Sequence, residues 1–172
     1  MKRALLLSGG FDSAVVFYKL IEENTPFDAF FIDYNQSYMD KEYQKVKKLC
    51  TAYKNINLLI IKMPGWEDMP GRNFHFINQL QLLKYNEVYL GTRWLLPFFD
   101  KWGDANWVTL KAYGYLLKIK VKLLIVGWTK RKCFVFLLSK NHTDFYNCYK
   151  NNSDWQKCNC SNCRERQKLN LV

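Results

Sequence analysis

No stretch of this chain approaches the roughly twenty apolar residues that a membrane-spanning helix requires. Its hydrophobic residues, 49% of the total, are therefore expected to fill a core. The short apolar run at 4–7 follows Met1, Lys2 and Arg3, as a secretory leader would, but Ser8, Gly9 and Gly10 interrupt it too early, and the expected location is the cytoplasm. Internal repeats and low-complexity linkers are absent, and with them any expectation of a solenoid or a flexible string of modules. Acidic side chains are scarce: 15 Asp and Glu against 26 Lys and Arg leave a net charge of +11, which favours anionic partners such as nucleotides, nucleic acid or an acidic surface. Lys41, Lys45, Lys47 and Lys48 are spread along a helical pattern and read as a solvated face. Also missing is the Lys followed by Ser or Thr that closes a Walker phosphate loop.

What is present is SGGFDS at 8–13, directly after the apolar run. A strand that runs into two glycines and then a helix start presents a row of backbone N–H groups to an anion. Glycine permits close approach and positive φ, and the helix N-terminus adds a favourable dipole. A bare strand-to-helix turn with Asp12 or Ser13 as N-cap is the simpler alternative. The full string resembles the pyrophosphatase loop of the ATP-pyrophosphatase superfamily, which implies cleavage of ATP between its α- and β-phosphates and activation of a substrate as its adenylate. Leu7, Ser8, Gly9, Gly10, Phe11, Asp12 and Ser13 are the candidate nucleotide-binding residues.

After this loop, helical and strand patterns alternate. Helices are expected at 12–22, 39–53, 75–84, 107–117 and 130–139, and strands at 28–34, 57–63, 87–91 and 121–127. This alternation predicts an α/β fold, a five-stranded parallel sheet with helices on both faces, and the resemblance of the glycine loop implies the Rossmann-like, adenine nucleotide alpha hydrolase type. Such sheets bind ligands at the C-terminal edge of the strands, where strand order reverses. That edge would gather the glycine loop, Asp33, Tyr34 and Gln36 after the second strand, and Gly91, Thr92 and Arg93 after the fourth. The apolar periodicity stops at Asn141. Residues 1–141 are thus expected to form the nucleotide-binding domain and 142–172 a small module.

Four of the six cysteines, Cys148, Cys158, Cys160 and Cys163, lie within sixteen residues. The segment is too polar to bury a core of its own, and four thiolates suit a structural tetrahedral zinc, with an iron–sulfur cluster as the alternative. Cys50 and Cys133 fall on apolar helical faces and are expected in the core.

Together with SGGFDS, DYNQ (33–36), Glu42, GRN (71–73), DKWGD (100–104), Thr129 with Lys130, and NCY with the cysteine cluster and Arg164 resemble, in this order, the 7-cyano-7-deazaguanine synthases. The resemblance implies that 7-carboxy-7-deazaguanine is adenylated by ATP with magnesium and that ammonia carries it to the nitrile. It also implies Asp12 as the acid for magnesium, Arg72 and Lys130 as catalytic cations beside the phosphates, Asp33 and Gly91 near the nucleotide, and Tyr34, Gln36, Asn73, Asp100 and Asp104 around the substrate. The expected assembly is a homodimer. Asn35 stands where the family has glycine, the family's histidine after the Gln is missing, and one residue is lost between Cys158 and Cys160. The chain is also short between Gly91 and Thr129, and such a compact version would suit a virus or reduced genome. Two other readings remain: a tRNA-modifying pyrophosphatase such as a thiolase, and a zinc-stabilised nucleic-acid-binding protein without turnover.

Overall fold

The computed structural model describes residues 1–33, 35, 39–63, 72–93, 104–142, 158 and 160–168. Five strands, β1 (Arg3–Leu6), β2 (Asp28–Asp33), β3 (Leu58–Lys62), β4 (Glu87–Leu90) and β5 (Lys120–Leu123), form one parallel sheet in the order β3-β2-β1-β4-β5. The helices are α1 (Phe11–Glu22), α2 (Met39–Thr51), α3 (Arg72–Leu82), α4 (Asp104–Leu116), α5 (Lys130–Ser139) and α6 (Ser161–Lys168). The α/β architecture expected from the alternation is the one observed.

Strand burial follows position in the sheet. The central strands β1, β2 and β4 carry continuous buried runs because helices cover both of their faces, whereas the edge strands β3 and β5 alternate or stay open. Lys120 and Lys122 make the β5 edge a poor template for pairing with another chain. One core lies on the α1, α2 and α5 face, around Leu5, Phe17, Phe31, Val46 and Phe134. The second lies on the α3 and α4 face, around Phe30, Phe76, Ile77, Leu80 and Leu110. Phe17, Phe30, Phe31, Phe76 and Phe134 are fully buried; burying each such side chain contributes about 1.5–3 kcal/mol.

The first β-strand feeds α1, β2, α2 and β3 outward on one side, and the chain then crosses back through α3 to place β4 on the other side of β1. Strand order therefore reverses between β1 and β4, the place at which sheets of this kind take their ligands. Three boundaries differ from the sequence pattern by three residues or more. The helix expected at 75–84 starts at Arg72, and the one expected at 107–117 starts at Asp104. The fifth strand, expected to run to Gly127, leaves the ladder after Leu123. The backbone then turns so that Gly127, at φ 77°, donates its N–H to the Arg93 carbonyl at 2.7 Å. The short helix α6 carries no apolar stripe and was not foreseen; Cys163 anchors it.

Candidate functional site at the strand-order reversal

Leu7 prolongs β1 by one hydrogen bond, its N–H reaching the Phe30 carbonyl at 2.8 Å, and the chain then turns through Ser8, Gly9 and Gly10 into α1. Gly10 is the N-cap, in an extended conformation and with no side-chain cap, so neither Asp12 nor Ser13 caps this helix. The first-turn N–H groups that a Ser or Asp cap would satisfy are thus left to backbone geometry and to whatever binds there. Ser13 is buried and braces the loop: its Oγ accepts from the Ser8 N–H at 3.2 Å and donates to the Gly10 carbonyl at 3.1 Å.

Two glycines are dictated by close approach. Gly9 sits at φ 76°, and a Cβ there would lie 2.8 Å from the Glu42 carbonyl oxygen in α2. Gly91, just past β4, would bring a Cβ to 2.6 Å from the Ser13 nitrogen and 2.8 Å from its Cα. The end of β4 is therefore packed onto the first turn of α1.

The charged centre is Asp12, in the first turn of α1. Arg93 Nε lies 2.6 Å from Asp12 Oδ1, with the arginine side chain only 6% exposed and the aspartate 28%. The guanidinium also stands over the Phe11 ring, 5.3 Å from its centroid, and Phe11 stacks on Phe134 at 4.8 Å. The Cys133 thiol lies beside Asp12 and favours its charged form, and Lys130 is close enough to act on it electrostatically. Burial pushes the Asp12 carboxyl up from its ordinary 3.8 to about 6; Arg93 opposes this most, followed by Cys133 and Lys130. Burial, with the Asp12 charge second, pushes the Cys133 thiol up to about 12, so this cysteine is protonated and a poor nucleophile.

The other expected site residues are distributed as follows. Asp33 ends β2, where its Oδ1 accepts from the Asn35 N–H at 3.0 Å, and Asn35 takes φ 64°, the left-handed conformation open to the glycine it replaces. Arg72 and Asn73 open α3, with Asn73 buried, and Asp104 opens α4. Since α3 follows β3, its first turn lies toward the same sheet edge as the glycine loop. Tyr34, Gln36, Asp100 and Cys148 lie outside the described residues. The structure thus brings Ser8, Gly9, Gly10, Phe11, Asp12, Ser13, Gly91 and Lys130 together at the strand-order reversal.

Two further residues that touch Asp12, Arg93 and Cys133, are not among the site residues expected from the sequence. Arg93 was noted only as a strand-end residue, although the pattern of Gly, one residue, then a cation at the end of the strand beside β1 was a usable signal. Cys133 is in the core, as expected, but at the place where the core meets Asp12; helical periodicity alone carries no sign of that contact.

Cys158, Cys160 and Cys163 are buried with their Sγ atoms all within 4.8 Å of one another. Gln167 Nε2 donates to the Cys158 carbonyl at 3.1 Å and the Arg164 N–H to the Cys160 carbonyl at 3.0 Å, folding the first turn of α6 around the thiols. Three converging buried thiols fit a thiophilic metal ion or cluster and have no apolar reason to congregate in so polar a segment. Cys50, by contrast, is an ordinary core thiol pushed up to about 12 by burial.

Comparison with known proteins follows the same division between loop and remainder. Residues 2–83 match the family model described as queuosine biosynthesis protein QueC. Comparison with curated protein sequences gives no match. Among solved structures, the fold is similar to that of the U34-tRNA thiolase NcsA from Methanococcus maripaludis with its [4Fe-4S] cluster, with a TM-score of 0.61 and 14% identity over 98% of this chain and 65% of that one. It is also similar to a predicted subunit of tRNA methyltransferase from Methanocaldococcus jannaschii, with a TM-score of 0.53 and 16% identity over 78% of this chain and 74% of that one. This chain therefore spans somewhat less than two thirds of the thiolase.

Proposed function

Starting from a chain that is QueC-like over residues 2–83, we propose that it is an ATP-using enzyme that adenylates 7-carboxy-7-deazaguanine and passes it to ammonia, giving 7-cyano-7-deazaguanine. The observation that carries this reading is the glycine loop at the strand-order reversal, with an uncapped helix start and Asp12 ringed by Arg93 and Lys130. The N–H groups of the first turn of α1 suit the departing pyrophosphate, and their dipole favours the charge that builds as it leaves. Asp12 is the acid for magnesium, since a hard cation prefers carboxylate oxygen and this carboxylate is held at the mouth of the loop. Magnesium there would screen the phosphates. Lys130, and Arg72 at the start of α3, supply positive charge beside the α-phosphate.

In the reaction, a substrate carboxylate oxygen attacks the α-phosphorus of ATP and pyrophosphate leaves. Ammonia then displaces AMP to form the amide, and a second ATP activates the amide oxygen so that loss of AMP and protons leaves the nitrile. Tyr34, Gln36, Asn73, Asp100 and Asp104 are assigned to the substrate, where carboxylates can accept from the adjacent N–H groups of a guanine-like ring. Zinc at Cys148, Cys158, Cys160 and Cys163 is assigned a structural role, because four thiolates close the coordination sphere. A homodimer in the cytoplasm completes the assignment; no helix among the described residues is long and apolar enough to cross a membrane.

The test is to incubate the protein with ATP, magnesium, ammonium and 7-carboxy-7-deazaguanine and to follow nucleotide and product mass. AMP release with a mass change is expected, and ADP release would overturn the reading. One observation favours a second reading. The described thiol trio and the thiolase-like fold fit a tRNA-modifying adenylating enzyme holding an iron–sulfur cluster. AMP formed only when tRNA is present would select it. The buried, protonated state of Cys133 speaks against a cysteine nucleophile at the loop.

A further inference from the structure

Arg93 is placed in a way that a purely structural arginine would not need. Its backbone is tied down, the carbonyl accepting from Gly127, while its guanidinium turns inward to lie between the Phe11 ring and the Asp12 carboxylate. These are the first two residues of α1, so a full positive charge stands where the helix start would receive the phosphates of a nucleotide. It also covers the same carboxylate that a divalent cation would use. A guanidinium and a divalent cation cannot share one carboxylate oxygen cheaply, because their charges repel across a few ångströms at a half-buried site. A polyphosphate resolves the conflict, since its oxygens accept from an arginine fork at least as well as a carboxylate does.

Resting on the assignment of Asp12 to the cation, we infer that Arg93 is a resident stand-in for that cation. It holds Asp12 in the nucleotide-free protein and moves to the phosphates when the nucleotide arrives, so the divalent cation binds with the nucleotide and not before it. The anchored backbone and the flexible stem allow the head group to make this exchange without moving β4 or α1. Linkage makes the effect reciprocal: nucleotide and cation each strengthen the other's binding through Arg93, and loss of Arg93 leaves only the coupling that comes from the cation's direct contact with the phosphates.

The test uses the whole protein with Mn²⁺ as a paramagnetic probe and α,β-methylene ATP as a nucleotide that cannot be cleaved, each titrated alone and then together. The variants are Arg93→Gln, Arg93→Met, which keeps the apolar stem against Phe11, and Asp12→Asn, with folding checked by circular dichroism. For Arg93→Gln the expected result is Mn²⁺ binding alone tightened by about tenfold, nucleotide binding alone weakened by a similar factor, and cooperativity between the two reduced to what direct contact of Mn²⁺ with the phosphates supplies. Arg93→Met should behave likewise and carries the test should the glutamine variant not fold. If both Arg93 variants bind Mn²⁺ and nucleotide as the unaltered protein does while Asp12→Asn abolishes Mn²⁺ binding, the exchange is overturned and the assignment of Asp12 stands. If Asp12→Asn binds Mn²⁺ unchanged, the assignment of Asp12 itself falls.

Discussion

Replacing Asp12 by Asn should make the folded protein more stable at neutral pH while removing its activity. Burial raises the Asp12 carboxyl from 3.8 to about 6, so the ionised group is less welcome in the folded chain than in the unfolded one. Each tenfold in proton affinity corresponds to about 1.4 kcal/mol, so ionised Asp12 costs the fold about 3 kcal/mol, with the attraction of Arg93 already included. For an acid with a raised folded pKa, this cost is absent below 3.8, grows between 3.8 and 6, and is complete above 6. Asn keeps the shape beside the Cys133 thiol but carries no charge to desolvate. Urea unfolding of both proteins without nucleotide or divalent cation is the assay. At pH 8 the variant should gain up to about 3 kcal/mol, and the gain should shrink to about half a kcal/mol by pH 4. A variant less stable at pH 8, or a gain independent of pH, would refute the argument and mean that the ion pair with Arg93 outweighs desolvation.

Three further outcomes are expected. Gly91→Ala places a methyl group 2.6 Å from the Ser13 nitrogen, a backbone atom that cannot swing aside, so it should destabilise the fold by about 1–3 kcal/mol and abolish nucleotide binding measured by calorimetry. On the proposal that the cysteine trio holds a metal, a chelator should lower the thermal midpoint and expose α6 to proteolysis, and metal analysis of the protein as isolated decides between zinc and iron. Iodoacetamide at pH 8 should spare Cys50 and Cys133, both pushed up to about 12, until the protein is unfolded; rapid native labelling of Cys133 would revive the case for a nucleophile at the loop.

The fold was legible because its signals are local. Each buried strand reads as a short apolar run, each amphipathic helix as a 3.6-residue period, and their alternation leaves little choice but a parallel sheet with crossovers. The glycine loop was legible for a similar reason, since SGGFDS carries its own turn chemistry within six residues. The pairing of Asp12 with Arg93 was not legible, because 81 positions separate them and only the choice to place β4 beside β1 brings them together. Helix α6 escaped notice because no apolar stripe holds it; the thiol trio supplies the anchor that hydrophobic burial supplies elsewhere.

The strand order has a consequence for any attempt to isolate the recognisable part of this protein. Residues 2–83 end before β4, yet β4 is the hydrogen-bonded neighbour of β1 on its far side. A fragment cut after 83 would bare one full edge of β1, with Ala4 and Leu5 losing the burial they have in the whole chain. Such an edge pairs with any strand it meets. The stretch that is easiest to recognise is therefore the one least able to stand alone, and expressed by itself it should precipitate through β1 before it binds a nucleotide.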